Sequence, residues 1–396
     1  MTGHPPRKIL VVFGTRPDAV KMAPVVHALR AQPREFTPVV VVTAQHREML
    51  DQVLALFAIK PDHDLAIMTE QQSLVDITVR TLERLSAILP QVAPDFVLVQ
   101  GDAAPSFVGA LAAFYWHIPV GHVEAGLRTR DKYQPFPEEM YRRMASVLAD
   151  LHFAPTSTAR DNLIREGVPP SRILVTGNTV IDALLDVAGR DGVPLDADLR
   201  RVLGRPGRRV LLLTSHRREN WGDPQRRIFH AVRDVLDRFR DLDLVFPVHL
   251  NPVVSVPARE ILGTHPRAHL CTPLDYGALV ACMKASTVIL TDSGGIQEEA
   301  PSIGRPVLVL RETTERPEGV AAGTARLVGT DRARIVQETA RLLTDGRAYA
   351  KMSRARNPYG DGRAAARIVG GLRYYFGLSK NRPPAFSVHR RGRGVV

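Results

Sequence analysis

Short apolar runs alternate with longer amphipathic stretches along nearly the whole chain, and the series starts twice. Short apolar runs spaced by helical patterns are the mark of a parallel α/β architecture. In the first half the strand candidates are 8–13, 38–43, 96–100, 119–124, 151–154 and 173–176. The stretches 46–57, 74–89, 106–117 and 158–166 between them carry the 3.6-residue apolar period of helices. The second series runs through 209–214, 242–248, 269–272, 288–291, 306–310 and 326–328. A polar segment, 189–208, with Pro194, Gly204, Pro206 and Gly207, separates the two. The pattern predicts two Rossmann-like doubly wound domains facing a cleft, 1–188 and 209–361, joined by a linker at 189–208. A final amphipathic helix falls within 362–378 and a tail occupies 379–396. In such sheets ligands bind beyond the carboxyl ends of the strands.

With 396 residues, 44% of them hydrophobic, each domain can bury its own core without help from a metal or a disulfide. Cys271 and Cys282 fit neither a disulfide framework nor a zinc site, and they point to a reducing, cytoplasmic setting. The apolar run Ile9-Leu10-Val11-Val12-Phe13 is too short to span a membrane and stops at Gly14-Thr15-Arg16-Pro17, so it reads as a first strand rather than a signal peptide. The formal charge of +12 raises nucleic-acid binding as a possibility. Lys380, Arg382, Arg390, Arg391 and Arg393 account for part of it, and with Pro383 and Pro384 they suggest a disordered basic tail. Basic and aromatic residues are not interleaved, which argues against a nucleic-acid surface. The remaining excess suits an enzyme that handles diphosphates.

Chemistry-bearing residues recur where strands end. Gly14-Thr15-Arg16-Pro17-Asp18-Ala19-Val20-Lys21 follows the first strand, permits close backbone approach and opens a helix whose N-terminus suits an anion. It is neither a dinucleotide fingerprint nor a Walker sequence. Gln100-Gly101-Asp102-Ala103 ends another strand, although Gly-Asp is also an ordinary turn. His122-Val123-Glu124-Ala125-Gly126-Leu127-Arg128-Thr129 and Pro135-Phe136-Pro137-Glu138-Glu139 supply two carboxylates that could act as an acid/base pair. Glu138 and Glu139 could equally serve only a helix N-terminus, whereas a carboxylate ending a buried strand, as at Glu124, is costly without a purpose. In the second half, Ser215-His216-Arg217-Arg218-Glu219-Asn220 places His216 at a strand end, and His249 falls one strand along. Thr291-Asp292-Ser293-Gly294-Gly295-Ile296-Gln297-Glu298-Glu299 joins a strand to a helix through small residues, a geometry that cradles a diphosphate and lets Glu299 reach ribose hydroxyls. Arg311 and its neighbours add charge after the next strand. No metal-ligand spacing and no Ser or Cys nucleophile motif is present.

Taken in order, these segments resemble the non-hydrolysing UDP-N-acetylglucosamine 2-epimerase family, from about Lys8 to about Tyr375. Thr43-Ala44-Gln45-His46-Arg47-Glu48-Met49-Leu50, Gly177-Asn178-Thr179-Val180-Ile181-Asp182 and Asn357-Pro358-Tyr359-Gly360-Asp361-Gly362 extend the likeness. The resemblance implies a GT-B-like fold whose last helix crosses back onto the first domain, a homodimer, and no cofactor or required metal. It implies interconversion of UDP-GlcNAc and UDP-ManNAc through elimination of UDP to 2-acetamidoglucal and its re-addition. In many bacterial members the substrate is also an allosteric activator. Carried over residue by residue, the acid/base carboxylates fall on Asp102, Glu124 and Glu138, and the histidine near the diphosphate on His216. The nucleotide-binding positions fall on Arg16, Lys21, Ser293, Gly294, Gly295, Glu299 and Arg311. Four positions depart from the family's pattern. Ala103 replaces a threonine, Tyr141 an asparagine, Leu274 a glutamine near the uracil and Leu279 an aromatic residue. A UDP-sugar glycosyltransferase and a non-catalytic or altered-specificity UDP-sugar binder therefore stand as alternatives.

Overall fold

Strands buried on both faces have no polar side to show, which is why the central strands here read as unbroken apolar runs. A computed structural model describes residues 5–43, 47–69 and 72–388, and its contacts divide the chain into two compact units, Met1–Ala183 with Gly360–Val396, and Leu184–Tyr359.

The first unit holds β1 (Arg7–Phe13), β2 (Phe36–Val42), β3 (His63–Asp64), β4 (Phe96–Gln100), β5 (Val120–Val123), β6 (Leu151–Ala154) and β7 (Ile173–Val175). They form one parallel sheet in the order β3-β2-β1-β4-β5-β6-β7. β1 lies at its centre, with Ile9 to Phe13 buried between β2 and β4. Only β3 has no counterpart among the predicted strands, since two residues at a sheet edge leave no periodic signal. Helices Leu74–Val92, Ala104–Tyr115 and Glu138–Leu148 pack side by side, while Arg16–Arg30 packs on Arg47–Leu56 and on the C-terminal helix Ala364–Tyr375. That last helix is anchored at its start, where Asp182 accepts the amides of Ala364 and Ala365. At its end Phe376 and Tyr375 pack edge-to-face on Phe96.

The second unit holds β8 (Arg209–Thr214), β9 (Leu242–Pro247), β10 (Ala268–Cys271), β11 (Val288–Thr291), β12 (Val307–Val309) and β13 (Ala325–Leu327), parallel throughout, in the order β10-β9-β8-β11-β12-β13. Both sheets thus reverse direction beside their first strand, at β1/β4 and at β8/β11, and such a switch point opens a crevice at the strands' carboxyl ends. The division between the units falls inside helix Thr179–Ala188, ahead of the polar segment 189–208. That segment belongs to the second unit and forms helix Ala197–Leu203, capped by the Asp196 side chain.

The expected disordered tail needs correction for residues 379–388. Phe386 donates its amide to Val175 on β7 at 2.8 Å, is buried, and lies under the Arg367 guanidinium. Arg382 reaches the carbonyls of Pro170, Ser171 and Ile173. Phe386 and Arg382 tie the strap to the sheet edge, and composition alone does not reveal that. His389 to Val396, with Arg390, Arg391 and Arg393, lie outside the described residues, as do Ala44 and Gln45 and the first residue, His46, of the predicted helix 46–57. Among the described residues no helix is long and apolar enough to cross a membrane.

Candidate functional site

In the first unit the site grows from the ends of β1, β4 and β5. Gly14 follows β1 where no side chain fits: a Cβ there would stand 2.0 Å from the Thr43 hydroxyl and 2.7 Å from Pro105. Helix Arg16–Arg30 then starts behind Thr15, whose hydroxyl accepts the Asp18 amide while Asp18 accepts that of Thr15. Burial pushes the Asp18 carboxyl up to about 6, against the pull of Thr15 and Lys21. Arg16 is half-buried at the head of this helix.

Lys21 sits one turn in, and its ammonium reaches both oxygens of Glu124, at 2.8 and 2.6 Å. The expected phosphate ligand is therefore the partner of a candidate acid/base group. Glu124 ends β5 with φ of +64°, a left-handed conformation that a non-glycine residue adopts at a cost of about 1–3 kcal/mol. Its buried carboxylate also accepts from Gln100 and, at 3.1 Å, from Asn178. Sequence reading singled out neither residue for this role, although Asn178 stood within a quoted motif and Gln100 beside Asp102.

Asp102, at the end of β4, pairs with Arg142 at 2.5 Å and keeps its side chain partly exposed. Behind it, His122 is fully buried and bonded to the Gly101 carbonyl at 2.8 Å, and burial pulls its imidazole down to about 4. Helix Glu138–Leu148 brings two adjacent glutamates to different ends. Glu138 is half-buried and has no side-chain partner among the described residues. Glu139 is fully buried, accepts the amides of Thr129 and Arg130, and lies 3.7 Å from Arg142. Tyr141 turns into the core and stacks on Phe107 with ring centroids 5.7 Å apart. Ala103 sits at the N-cap of helix Ala104–Tyr115 and offers it no side-chain bond.

In the second unit a residue without an assigned role organises the site. Asp292, just past β11, is completely buried, and one of its oxygens takes the amides of His216 and Arg217 at 2.9 and 3.0 Å. Ser215 and Asn220 reach the same oxygen at 3.3 and 3.2 Å. The other oxygen lies 3.2 Å from Nδ1 of His216. Burial lowers the His216 imidazole, Asp292 opposes this, and Arg217 and His249 reinforce it. His249 is exposed, stacks on His216 at 6.3 Å and accepts the Asn251 amide.

Ser293 and Gly294-Gly295 open the short helix Gly294–Glu299. Glu299 is buried and accepts from the Tyr276 hydroxyl at 2.9 Å, a partner that the sequence did not single out. Arg311, after β12, is tied to Glu219 and Glu315 at 2.5 Å each, and Arg217 also reaches Glu315. Burial alone would raise Glu315, but a backbone amide and the guanidinium groups of Arg311, Arg316 and Arg217 outweigh it and hold the carboxyl at about 2. Leu274 and Leu279 are half-buried on either side of Tyr276. Among the described residues no group of three or more His, Cys, Asp or Glu could hold a metal ion.

Known proteins resemble this chain along nearly its whole length. The family described as UDP-N-acetylglucosamine 2-epimerase matches residues 27–373. The UDP-N-acetylglucosamine 2-epimerase of Bacillus subtilis is 53% identical over 381 residues, 96% of this chain and 98% of the relative. That of Escherichia coli K12 is 55% identical over 372 residues, 92% of this chain and 98% of the relative. A crystal structure of the Neisseria meningitidis UDP-GlcNAc 2-epimerase bound to UDP-GlcNAc superposes with a TM-score of 0.83 at 46% identity, covering 92% of this chain and 99% of the other. With two Rossmann-type sheets of GT-B-like kind and identity of this order along nearly its whole length, the chain belongs to the UDP-N-acetylglucosamine 2-epimerase family.

Proposed function

We propose that this chain carries out its family's reaction on UDP-GlcNAc and UDP-ManNAc. The observation that carries this reading is Glu124: a buried carboxylate on a strained left-handed residue, held by Lys21, Gln100 and Asn178. A conformation of that cost persists where the surroundings enforce it, and such residues concentrate at active sites.

A carboxylate among Glu124, Asp102 and Glu138 removes the proton from carbon 2 while the bond from carbon 1 to the UDP oxygen breaks. The electron pair of the lost C–H bond becomes the C1=C2 double bond of 2-acetamidoglucal, and UDP departs with its negative charge. In the return step the UDP oxygen adds to carbon 1 and a carboxylic acid protonates carbon 2 from the opposite face. Proton transfer of this kind needs one group poised on each side. Arg142 steadies Asp102 for that role, and Lys21 steadies Glu124.

The departing diphosphate is received by Arg16, by His216 and by the backbone at Ser293, Gly294 and Gly295. Cationic and amide donors aimed at developing charge are the usual source of such stabilisation. Glu299, fixed by Tyr276, holds ribose hydroxyls, and Arg311 borders the nucleotide. Tyr141 packs in the core, so its departure from the family's asparagine adds nothing to a non-catalytic reading.

A homodimer belongs to the same proposal. Phe114, Tyr115 and Trp116 stay 56%, 60% and 46% exposed at the end of one helix, and Val147, 86% exposed, lies on the neighbouring helix. Exposed apolar groups of that size mark a contact surface. The free thiols of Cys271 and Cys282 support a cytoplasmic location.

Proton NMR with UDP-GlcNAc in deuterated water tests the reaction. Deuterium at carbon 2 together with UDP-ManNAc is expected. Absence of exchange in protein that binds UDP would leave a sugar-nucleotide binder or a transferase.

A further inference from the structure

Away from the groups just described, the first unit carries a cavity of about 300 Å³ lined by Arg128, Arg130, Arg143, Arg165, Asn162, Glu139 and Glu166. The four arginines come from three elements: the loop after β5, helix Glu138–Leu148 and helix Ser157–Arg165. Both glutamates are already engaged. Glu166 receives two bonds of 2.8 Å from Arg128, and Glu139 receives the amides of Thr129 and Arg130. Burial would raise Glu166, yet Arg128, Arg143 and Arg165 together hold its carboxyl below the ordinary value, which shows how positive the surroundings are. Arg143 comes no closer to a carboxylate than 4.0 Å. Arg165 bonds only to Asn162 and to a backbone carbonyl, and the Arg130 side chain has no partner among the described residues. Arg130 and Arg165 therefore face the concavity with no carboxylate bound to them among the described residues, and Arg143 has only its 4.0 Å contact with Glu166.

We propose that this cavity is a regulatory site for a small phosphate-bearing polyanion, distinct from the nucleotide site. Guanidinium groups bind phosphate oxygens in paired, directional bonds, and 300 Å³ accommodates a diphosphate with a few waters. Arg130 and Thr129 stand on the loop that leads to Glu138, and Glu139 faces both the cavity and Arg142, the partner of Asp102. An occupant bridging Arg130 and Arg143 would fix that loop on the helix and with it the Glu139–Arg142–Asp102 connection. The site rests on unit-one geometry alone; its effect on rate rests on the proposed reaction.

Inorganic pyrophosphate is the probe, titrated by phosphorus NMR and calorimetry into full-length protein saturated with UDP. Saturation fills the nucleotide site and is seen directly from the UDP resonances. If UDP itself does not bind, the proposed function fails and not this site. One pyrophosphate per chain is expected, with affinity weakened at least tenfold in the exposed double variant Arg130→Ala, Arg143→Ala, whose UDP affinity and thermal midpoint stay as in the unaltered chain. With UDP-GlcNAc saturating, pyrophosphate should change kcat of the unaltered chain at least twofold and leave the variant unaffected. Absent or variant-insensitive binding overturns the site, and an unmoved kcat overturns its regulatory role.

Discussion

Asp292 shows how a buried residue with no expected role of its own sets the behaviour of a neighbour that has one. Its buried carboxylate pins residues 215–220, and its second oxygen lies 3.2 Å from Nδ1 of His216. Because the free imidazole is held below its ordinary value, it is largely neutral at pH 7. An incoming diphosphate favours the charged ring, so the His216 pKa rises on binding and a proton is taken up. UDP affinity should therefore increase as pH falls from about 7.5 toward 6, and calorimetry in two buffers of different ionisation enthalpy should show the uptake. His216→Ala and Asp292→Asn should each abolish the part of the uptake that is not due to the nucleotide itself; uptake equal to that of the unaltered chain would remove His216 from the diphosphate. For the carboxylates, Glu124→Gln is expected to slow deuterium incorporation by three or more powers of ten while changing the UDP dissociation constant less than about threefold. A rate near that of the unaltered chain would contradict the assignment. The sequence made Asp102, Glu124 and His216 conspicuous because they follow strands, and Glu138 because it opens a helix after a Pro-rich segment. It could not show that Lys21 faces Glu124 rather than a phosphate, since 103 residues separate them and only sheet order brings them together.

Elements carry two departures with measurable consequences. Helix Ala104–Tyr115 begins at Ala103 in an extended conformation, φ −73° and ψ 159°, with no side-chain acceptor for its first amides. Threonine fits that conformation and would supply the acceptor. Ala103→Thr should stabilise the protein by about 1 kcal/mol, read as a rise in thermal midpoint of a few degrees. A fall would mean that the neighbourhood of Asp102 has no room for the hydroxyl and methyl groups. The strap after the last helix is held chiefly by Phe386, and Phe386→Ala removes most of an aromatic side chain from a buried place beside β7. A loss of about 2 kcal/mol in denaturant unfolding is expected, with the free amide edge of β7 becoming open to pairing. An unchanged midpoint would show that the strap contributes nothing to the unit. Most element positions were legible because parallel strands need long apolar runs, and turns after them need small residues. The strap and the two-residue β3 were not, because each is held by a few tertiary contacts and by no periodic pattern.

At the scale of the whole molecule the formal charge of +12 and the exposed aromatic cluster ask for partners. Trp116→Glu with Val147→Glu should convert a dimer to monomers in sedimentation equilibrium at micromolar concentration, without loss of the folded circular-dichroism signal. A species that is monomeric before substitution would remove the dimer from the proposal. Two doubly wound sheets, every strand but β3 and the residues ending those strands were written in the sequence, because burial on both faces of a parallel sheet leaves an apolar rhythm. Pairings across the sheet were decided only by tertiary structure: Glu124 with Lys21, Gln100 and Asn178, Asp102 with Arg142, and His216 with Asp292. So was the inward turn of Tyr141 onto Phe107. Local patterning fixes which face of an element is buried, whereas the partner of a buried charge depends on strand order and on which neighbour supplies its missing hydrogen bonds.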